Sequence, residues 1–164
     1  MRTWINYLNG IVFRMLPETK CFAFKAALLR VAGARIGTDV RICSSAMIVG
    51  NGELIIGSGT WIGHQVLLSV TSKIEIGACV DIAPQVYIGT GSHELDRMGA
   101  HSAGKGISKD ISIGNGAWLC TGSKILPGVH IGEKTVVAAG AIVLDSCSSN
   151  ILIGGIPAKK IKDM

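Results

Sequence analysis

A chain of 164 residues that is 48% apolar and 5% aromatic, with mean hydropathy +0.45 and formal charge +5, fits one domain with a small appendage. No apolar run approaches the ~20 residues of a membrane span. Five cysteines (21, 43, 79, 120 and 147) show no CxxC spacing, which excludes a recognisable disulfide framework and suits free thiols in a reducing cytoplasm.

The charge is lopsided. Residues 1–41 hold seven basic side chains against Glu18 and Asp39, so the remaining 123 residues are neutral. Residues 1–16 place Trp4, Leu8, Ile11 and Met15 on one helical stripe and Ile5, Val12 and Leu16 on another. Asn6, Asn9 and Arg14 interrupt the apolar stretch, unlike a signal peptide. Pro17 suits the first turn of a second helix, which runs over 18–32 and closes at Gly33. Two readings of this cap at 1–33 stand side by side. One is a lid on the open end of an apolar stack; the other is a basic amphipathic surface for anionic lipid.

From Ile36 the chain repeats every six residues. Positions 36, 42, 48, 56, 62, 68, 76, 82, 88, 113, 119, 125, 131, 137 and 143 are all Ile, Leu or Val. These three residue types make up 46 of 164 positions. Fifteen matches in fifteen therefore have a chance probability on the order of one in a hundred million. A second column lies two residues earlier, from Ala34 and Val40 to Thr135 and Ala141, and holds only aliphatic, small or hydroxyl residues. Gly often follows the first column, as at 37, 57, 63, 77, 89, 114 and 132, and reads as a glycine-tolerant corner. Period six does not keep one face of a helix inward, whereas short strands with corners do. Three hexapeptides make one turn of a triangular parallel β-helix, stable only as a stack.

The triplets start at 36, 56, 76, 113 and 131, so the first three are twenty residues apart and the last two eighteen. The two extra residues are expected to bulge at a corner. Residues 94–110 have three glycines, no periodicity and no net charge, and read as a loop extruded from the coil. The repeat spans 34–148, and 149–164 makes a last strand and a basic tail.

His93 lies in GTGSHELD, where the regular coil stops and the loop begins. A neutral imidazole there is a candidate proton acceptor, with a surface histidine as the plainer alternative. His64 and His130 fall on outward coil positions, and His101 lies inside the loop. No histidine pair stands at i, i+4 and no carboxylate completes a ligand set, so no metal site is expected. GxxxxGK[ST], strand-to-helix GxGxxG and GxSxG are all missing. Basic residues confined to a cap, without interleaved aromatics, do not point to nucleic acid.

The hexapeptide columns, GTGSH before the loop, ISIGNGAWLCTGSKILPGVHIGEKTVVAAGAIV after it and the closing GGIPAKKI resemble the left-handed β-helix acyltransferases. Among these, the chain is most similar to small sugar O-acetyltransferases of bacterial polysaccharide gene clusters. The resemblance covers roughly residues 30–162. It implies an all-β fold, a left-handed parallel β-helix with a helical cap and one extruded loop. It also implies a homotrimer with active sites between subunits, and direct transfer of an acetyl group from acetyl-CoA to a sugar hydroxyl.

On this resemblance His93 is the general base and Trp118 lies near the acyl group. Thr121, Ala139, Lys159 and Lys162 line the CoA groove, and Ala138, Ala139 and Gly140 suit a pantetheine arm. Glu94, Asp96 or a backbone carbonyl orients the His93 ring. The acidic sugar-contacting N-terminal segment of galactoside-type enzymes is replaced by a basic apolar cap, so the acceptor does not carry over. Serine acetyltransferases carry long N-terminal helical bundles that this chain lacks. The alternatives are N-acetylation of an amino sugar, or a non-catalytic scaffold docking on a membrane or partner. A cytoplasmic enzyme is expected, with peripheral contact at the inner membrane surface through the basic cap as the second reading.

Overall fold

A computed structural model describes residues 1–164. Two helices, α1 (Thr3–Arg14) and α2 (Phe22–Val31), precede the repeat. Each coil of the repeat then contributes three short strands. The first holds β1 (Arg35–Ile36), β2 (Arg41–Ile42) and β3 (Met47–Val49). The second holds β4 (Glu53–Ile56), β5 (Trp61–Ile62) and β6 (Leu67–Ser69), and the third β7 (Lys73–Ile76), β8 (Asp81–Ile82) and β9 (Tyr87–Gly89). An arm of β10 (Gly91–Leu95) and β11 (Ala103–Ser108) follows. The fourth coil is β12 (Ile111–Ile113), β13 (Trp118–Leu119) and β14 (Lys124–Ile125); the fifth is β15 (His130–Ile131), β16 (Val136–Val137) and β17 (Ile142–Val143). β18 (Ile151–Gly155) and β19 (Ala158–Asp163) end the chain.

Like strands stack on like, giving the three walls of a left-handed parallel β-helix. The first wall is β1-β4-β7-β12-β15, the second β2-β5-β8-β13-β16-β18-β19 and the third β3-β6-β9-β14-β17. Register is that of the sequence columns. Ile36 faces Ile56, Ile62 faces Ile82, and Ile88 faces Ile125. A fully parallel sheet has no polar side on its inner face, so both columns read as apolar or small. All fifteen residues of the second column are buried, and Ile48, beneath α1, is the one first-column member that is only partly so.

The corner glycines are required for a reason other than conformational freedom. A Cβ on Gly57 would lie 2.4 Å from the Ala78 amide nitrogen, and one on Gly114 2.5 Å from that of Glu133. The next coil simply passes too close. The two extra residues of the early coils fall on the third corner, between β3 and β4 and between β6 and β7. The arm leaves the third coil at that same corner.

The loop is extruded from the coil, and its stems are ordered as a two-stranded arm. Its strands pair antiparallel, with Gly91 opposite Ser108, Ser92 opposite Ile107 and His93 opposite Gly106. The tail likewise folds back, β19 pairing antiparallel with β18.

The cap departs from expectation in one detail. Pro17 does not open the second helix; α2 starts at Phe22 after a left-handed Cys21. The Pro17 and Glu18 carbonyls instead accept hydrogen bonds from the Lys25 ammonium, at 3.2 and 2.9 Å, with the Ile42 carbonyl at 2.9 Å. Lys25 is fully buried, a cost that three carbonyls offset while tying cap to first coil.

Interior hydroxyls give a sign test. Thr60 Oγ1 donates to the Gly77 carbonyl at 2.8 Å and accepts from the Val80 amide at 3.2 Å. Ser123 Oγ is equally buried and has no hydrogen-bond partner. Thr60→Val should lower unfolding stability by about 1–3 kcal/mol, whereas Ser123→Ala should leave it unchanged or raise it by about 1 kcal/mol. Urea denaturation of both variants checks this; equal losses would contradict it.

Candidate active site

The arm is anchored before it carries anything. The Thr71 hydroxyl shares hydrogen bonds with Thr90 at 3.0 Å and Ser108 at 2.9 Å, and the Lys109 amide donates to the Thr90 carbonyl at 2.9 Å. Beside them, Asp110 Oδ1 accepts from the Lys73 amide at 2.9 Å. That bond comes first in holding the Asp110 carboxyl below the usual carboxylate range. Both strands of the arm thus leave the coil from a fixed base.

His93 sits on β10 within this base, exposed to solvent, and its Nδ1 is 2.8 Å from the Gly104 carbonyl on the opposite strand. A carbonyl only accepts, so Nδ1 carries the proton. In the neutral ring Nε2 then holds the lone pair and faces away from that contact. A bulge in the pairing between His93 and Leu95 brings the carbonyl into reach.

The two carboxylates considered for orienting the ring do not do so. Asp96 accepts from the amides of Met98 at 2.9 Å and Gly99 at 2.8 Å, bonds that hold its carboxyl below the usual range. Glu94 is exposed on the arm, and the ring bond goes to Gly104. Gly104 has no side-chain chemistry, so residue types alone did not single it out; the glycines of the extruded segment were the available signal. A Cβ there would approach Asp96 Cβ to 3.0 Å.

The other candidate residues occupy different walls. Trp118 points outward from the second wall and is 52% exposed. Thr121 and Ala139 stack on the corner between the second and third walls, where the Gly140 amide donates to the Thr121 carbonyl at 2.9 Å. The Thr121 hydroxyl is turned to the Pro84 carbonyl at 2.7 Å. Lys159 lies on β19 and pairs with Asp145 at 3.1 Å, both largely exposed, so the pair is weak. Lys162 is exposed opposite Leu152. Ala138 packs close to Gly154 of the tail hairpin, so the corner and the lysine-bearing strand adjoin. One chain therefore groups the corner residues with the tail, while His93 and Trp118 belong to separate faces.

Two cavities lie at the cap, and His93 lines neither. One of about 500 Å³ lies between α1 and β3, and one of about 590 Å³ lies beside α2. At the cap junction the ligating atoms of Glu18, Cys43 and His64 fall within 4.8 Å of one another. The Glu18 carboxylate is already bonded to the Ser45 amide and hydroxyl at 3.1 Å, and lies 3.3 Å from His64 Nδ1. The cluster fastens the interhelical segment to the coil. His130 Nδ1 lies 2.7 Å from the Ser112 hydroxyl on the outer face of the first wall.

Comparison with known proteins agrees with this architecture. Residues 110–145 match the family described as bacterial transferase hexapeptide (six repeats). WcaF of Escherichia coli K12, named as a colanic acid biosynthesis acetyltransferase, is 36% identical over 156 residues, or 95% of this chain and 83% of that one. Galactoside O-acetyltransferase of the same organism is 25% identical over 140 residues, 85% of this chain and 68% of the relative. The hexapeptide-repeat acetyltransferase VCA0836 of Vibrio cholerae, solved with acetyl coenzyme A, superposes with a TM-score of 0.74 at 26% identity, covering 97% of this chain and 86% of that one. A maltose O-acetyltransferase of Clostridium difficile 630 shares the fold, with a TM-score of 0.74, 22% identity and coverage of 99% and 86%. The columns, the histidine-bearing arm and this near full-length likeness converge: the chain belongs to the hexapeptide-repeat acyltransferases.

Proposed function

We propose that this enzyme transfers the acetyl group of acetyl-CoA to a hydroxyl of a sugar or polysaccharide precursor, in the cytoplasm. The observation that carries this reading is the His93–Gly104 hydrogen bond, which commits Nδ1 and leaves Nε2 as an anchored base. The acceptor oxygen bonds to the thioester carbonyl carbon as Nε2 takes its proton. The carbon–sulfur bond then breaks, and the same proton passes to the departing sulfur of CoA.

The corner offers a wall of small residues, as a pantetheine arm requires, with Thr121, Ala139 and Gly140 exposed and Ala138 half-buried, and the adjoining Lys159 and Lys162 supply positive charge for its phosphates. The residues present fit the co-substrate. His93 and Trp118 stand on separate faces of one chain, which supports a site completed between subunits of a homotrimer. Sedimentation equilibrium should return three times the chain mass; a monomer would remove the shared site.

The reading is tested by incubating the protein with acetyl-CoA and paired acceptors that differ only in a hydroxyl or amino group, followed by mass spectrometry. An O-acetyl product is expected. Acetylation of the amine alone would transfer the assignment to N-acetylation. For the CoA groove, Lys159→Ala and Lys162→Ala together should raise KM for acetyl-CoA about tenfold at unchanged kcat, since lost charge–phosphate contacts act equally on ground and transition states. A matching rise in the acceptor KM would misplace the groove.

A further inference from the structure

The first helix is mounted with an apolar face outward. Asn6, Asn9 and Phe13 are its buried residues, while Trp4, Tyr7, Leu8, Ile11 and Met15 are 67%, 70%, 49%, 46% and 81% exposed. The two inward asparagines pin this orientation. Asn6 Nδ2 donates to the Ile48 carbonyl at 2.6 Å and Asn9 Nδ2 to the Leu28 carbonyl at 2.8 Å. Rolling the helix to bury the exposed stripe would break both bonds and take from the Ile48 carbonyl its side-chain donor. Thus α1 covers the stack with one face and offers a second, unpartnered apolar face of about 18 Å to the surroundings. An exposed contiguous stripe of this kind marks an interaction surface.

Its charge specifies the occupant. Arg2 and Arg14 flank the stripe at either end, Lys20 is exposed just beyond, and no acidic residue precedes Glu18. A second cap would set like charge against like. The coil surface of another copy, neutral overall, has no net complement to these cations. An apolar stripe holding Trp and Tyr between basic residues suits a bilayer interface with anionic headgroups.

We propose that α1 docks on an anionic phospholipid surface, lying in the headgroup plane with Trp4, Leu8, Ile11 and Met15 toward the acyl chains and Arg2 and Arg14 on the phosphates. No helix of the chain is long and apolar enough to cross a membrane, so the contact is peripheral. The proposal is independent of the acetyl-transfer reading, because none of these residues belongs to the site around His93.

The test is flotation of the full chain with vesicles of phosphatidylcholine containing about one third phosphatidylglycerol, beside vesicles of phosphatidylcholine alone. The protein should float with the anionic vesicles at least tenfold more than with the neutral ones, and less as salt is raised. Leu8→Ser with Ile11→Ser, and separately Arg2→Gln with Arg14→Gln, should each lower vesicle partition at least tenfold at unchanged far-ultraviolet circular dichroism. If the serine pair is unstable, the glutamine pair decides, since it alters exposed charges alone. Turnover on a soluble acceptor, measured in parallel, should not change, which separates loss of docking from loss of the reaction. Failure to float, equal flotation on neutral vesicles, or full flotation of the variants would overturn the proposal. So would a serine pair that changes the sedimenting mass and not the flotation, because the stripe would then be an interface between copies.

Discussion

Replacing His93 by alanine is expected to lower turnover by about three orders of magnitude while the protein remains folded and assembled. The magnitude follows from the role: a positioned general base contributes roughly 10²–10⁴-fold, and no neighbouring group is placed to substitute. Asp96 is bonded to two amides of its own turn, and the Gly104 carbonyl is the ring's partner rather than a base. Stability should be almost untouched, because His93 is exposed on the arm and its removal opens no cavity. His101→Ala is the matched control, since that imidazole lies on the same arm beyond the paired region around His93 and should be dispensable. The measurement is kcat with saturating acetyl-CoA and acceptor, beside sedimentation and thermal melting. Turnover of His93→Ala within tenfold of the parent would remove the proposed base, and equal losses in both variants would point to the arm's integrity instead.

Why the prism was legible and parts of its site were not is a matter of redundancy. Each interior column is written fifteen times, so a residue such as Thr60 or Ser123 can depart from aliphatic character without hiding the period. Corner spacing located the insertions, and those insertions and the arm share one corner. The arm itself is written once. Its strands hold Gly91, Gly104 and Gly106 and show no alternation, so antiparallel pairing was invisible. The carbonyl that orients His93 is backbone, and backbone has no letter. In α1 two apolar stripes are visible, and Asn6 and Asn9 read only as breaks in the apolar stretch. They are the buried face. Their amides donate to the Ile48 and Leu28 carbonyls, and this polar pairing rather than hydrophobic patterning sets the inward side there. Pro17 was misplaced for a similar reason: Lys25, a long cation in a small cap, reaches back for carbonyls that a helix would have consumed.

Truncating the interior should expose how little room the prism has to relax. Ile82→Ala is expected to cost about 4 kcal/mol, toward the upper end of the 2–5 kcal/mol seen for such changes, because the cost depends on how far the site can collapse. Here it scarcely can. Ile82 is fully buried and stacks in register on Ile62 below and Leu119 above. Backbone hydrogen bonds from Gly63 to Ile82 and from Ala83 to Leu119, each 2.9 Å, hold the coils at ladder spacing. The lost methyl groups therefore leave a void rather than a contraction. Ile36, at the open end and 8% exposed, has one stacked neighbour, Ile56, and its alanine variant should lose about half as much. Ile82→Val should lose about 1 kcal/mol. The midpoint of urea unfolding at constant slope measures all three. Equal losses at 82 and 36, or a loss below about 1.5 kcal/mol at 82, would mean that the coils slide to fill the gap. Turnover of the folded Ile82→Ala protein should stay within a few-fold of the parent. The arm leaves the same coil, but its base is held by Thr71, Thr90 and Ser108 rather than by the interior stack.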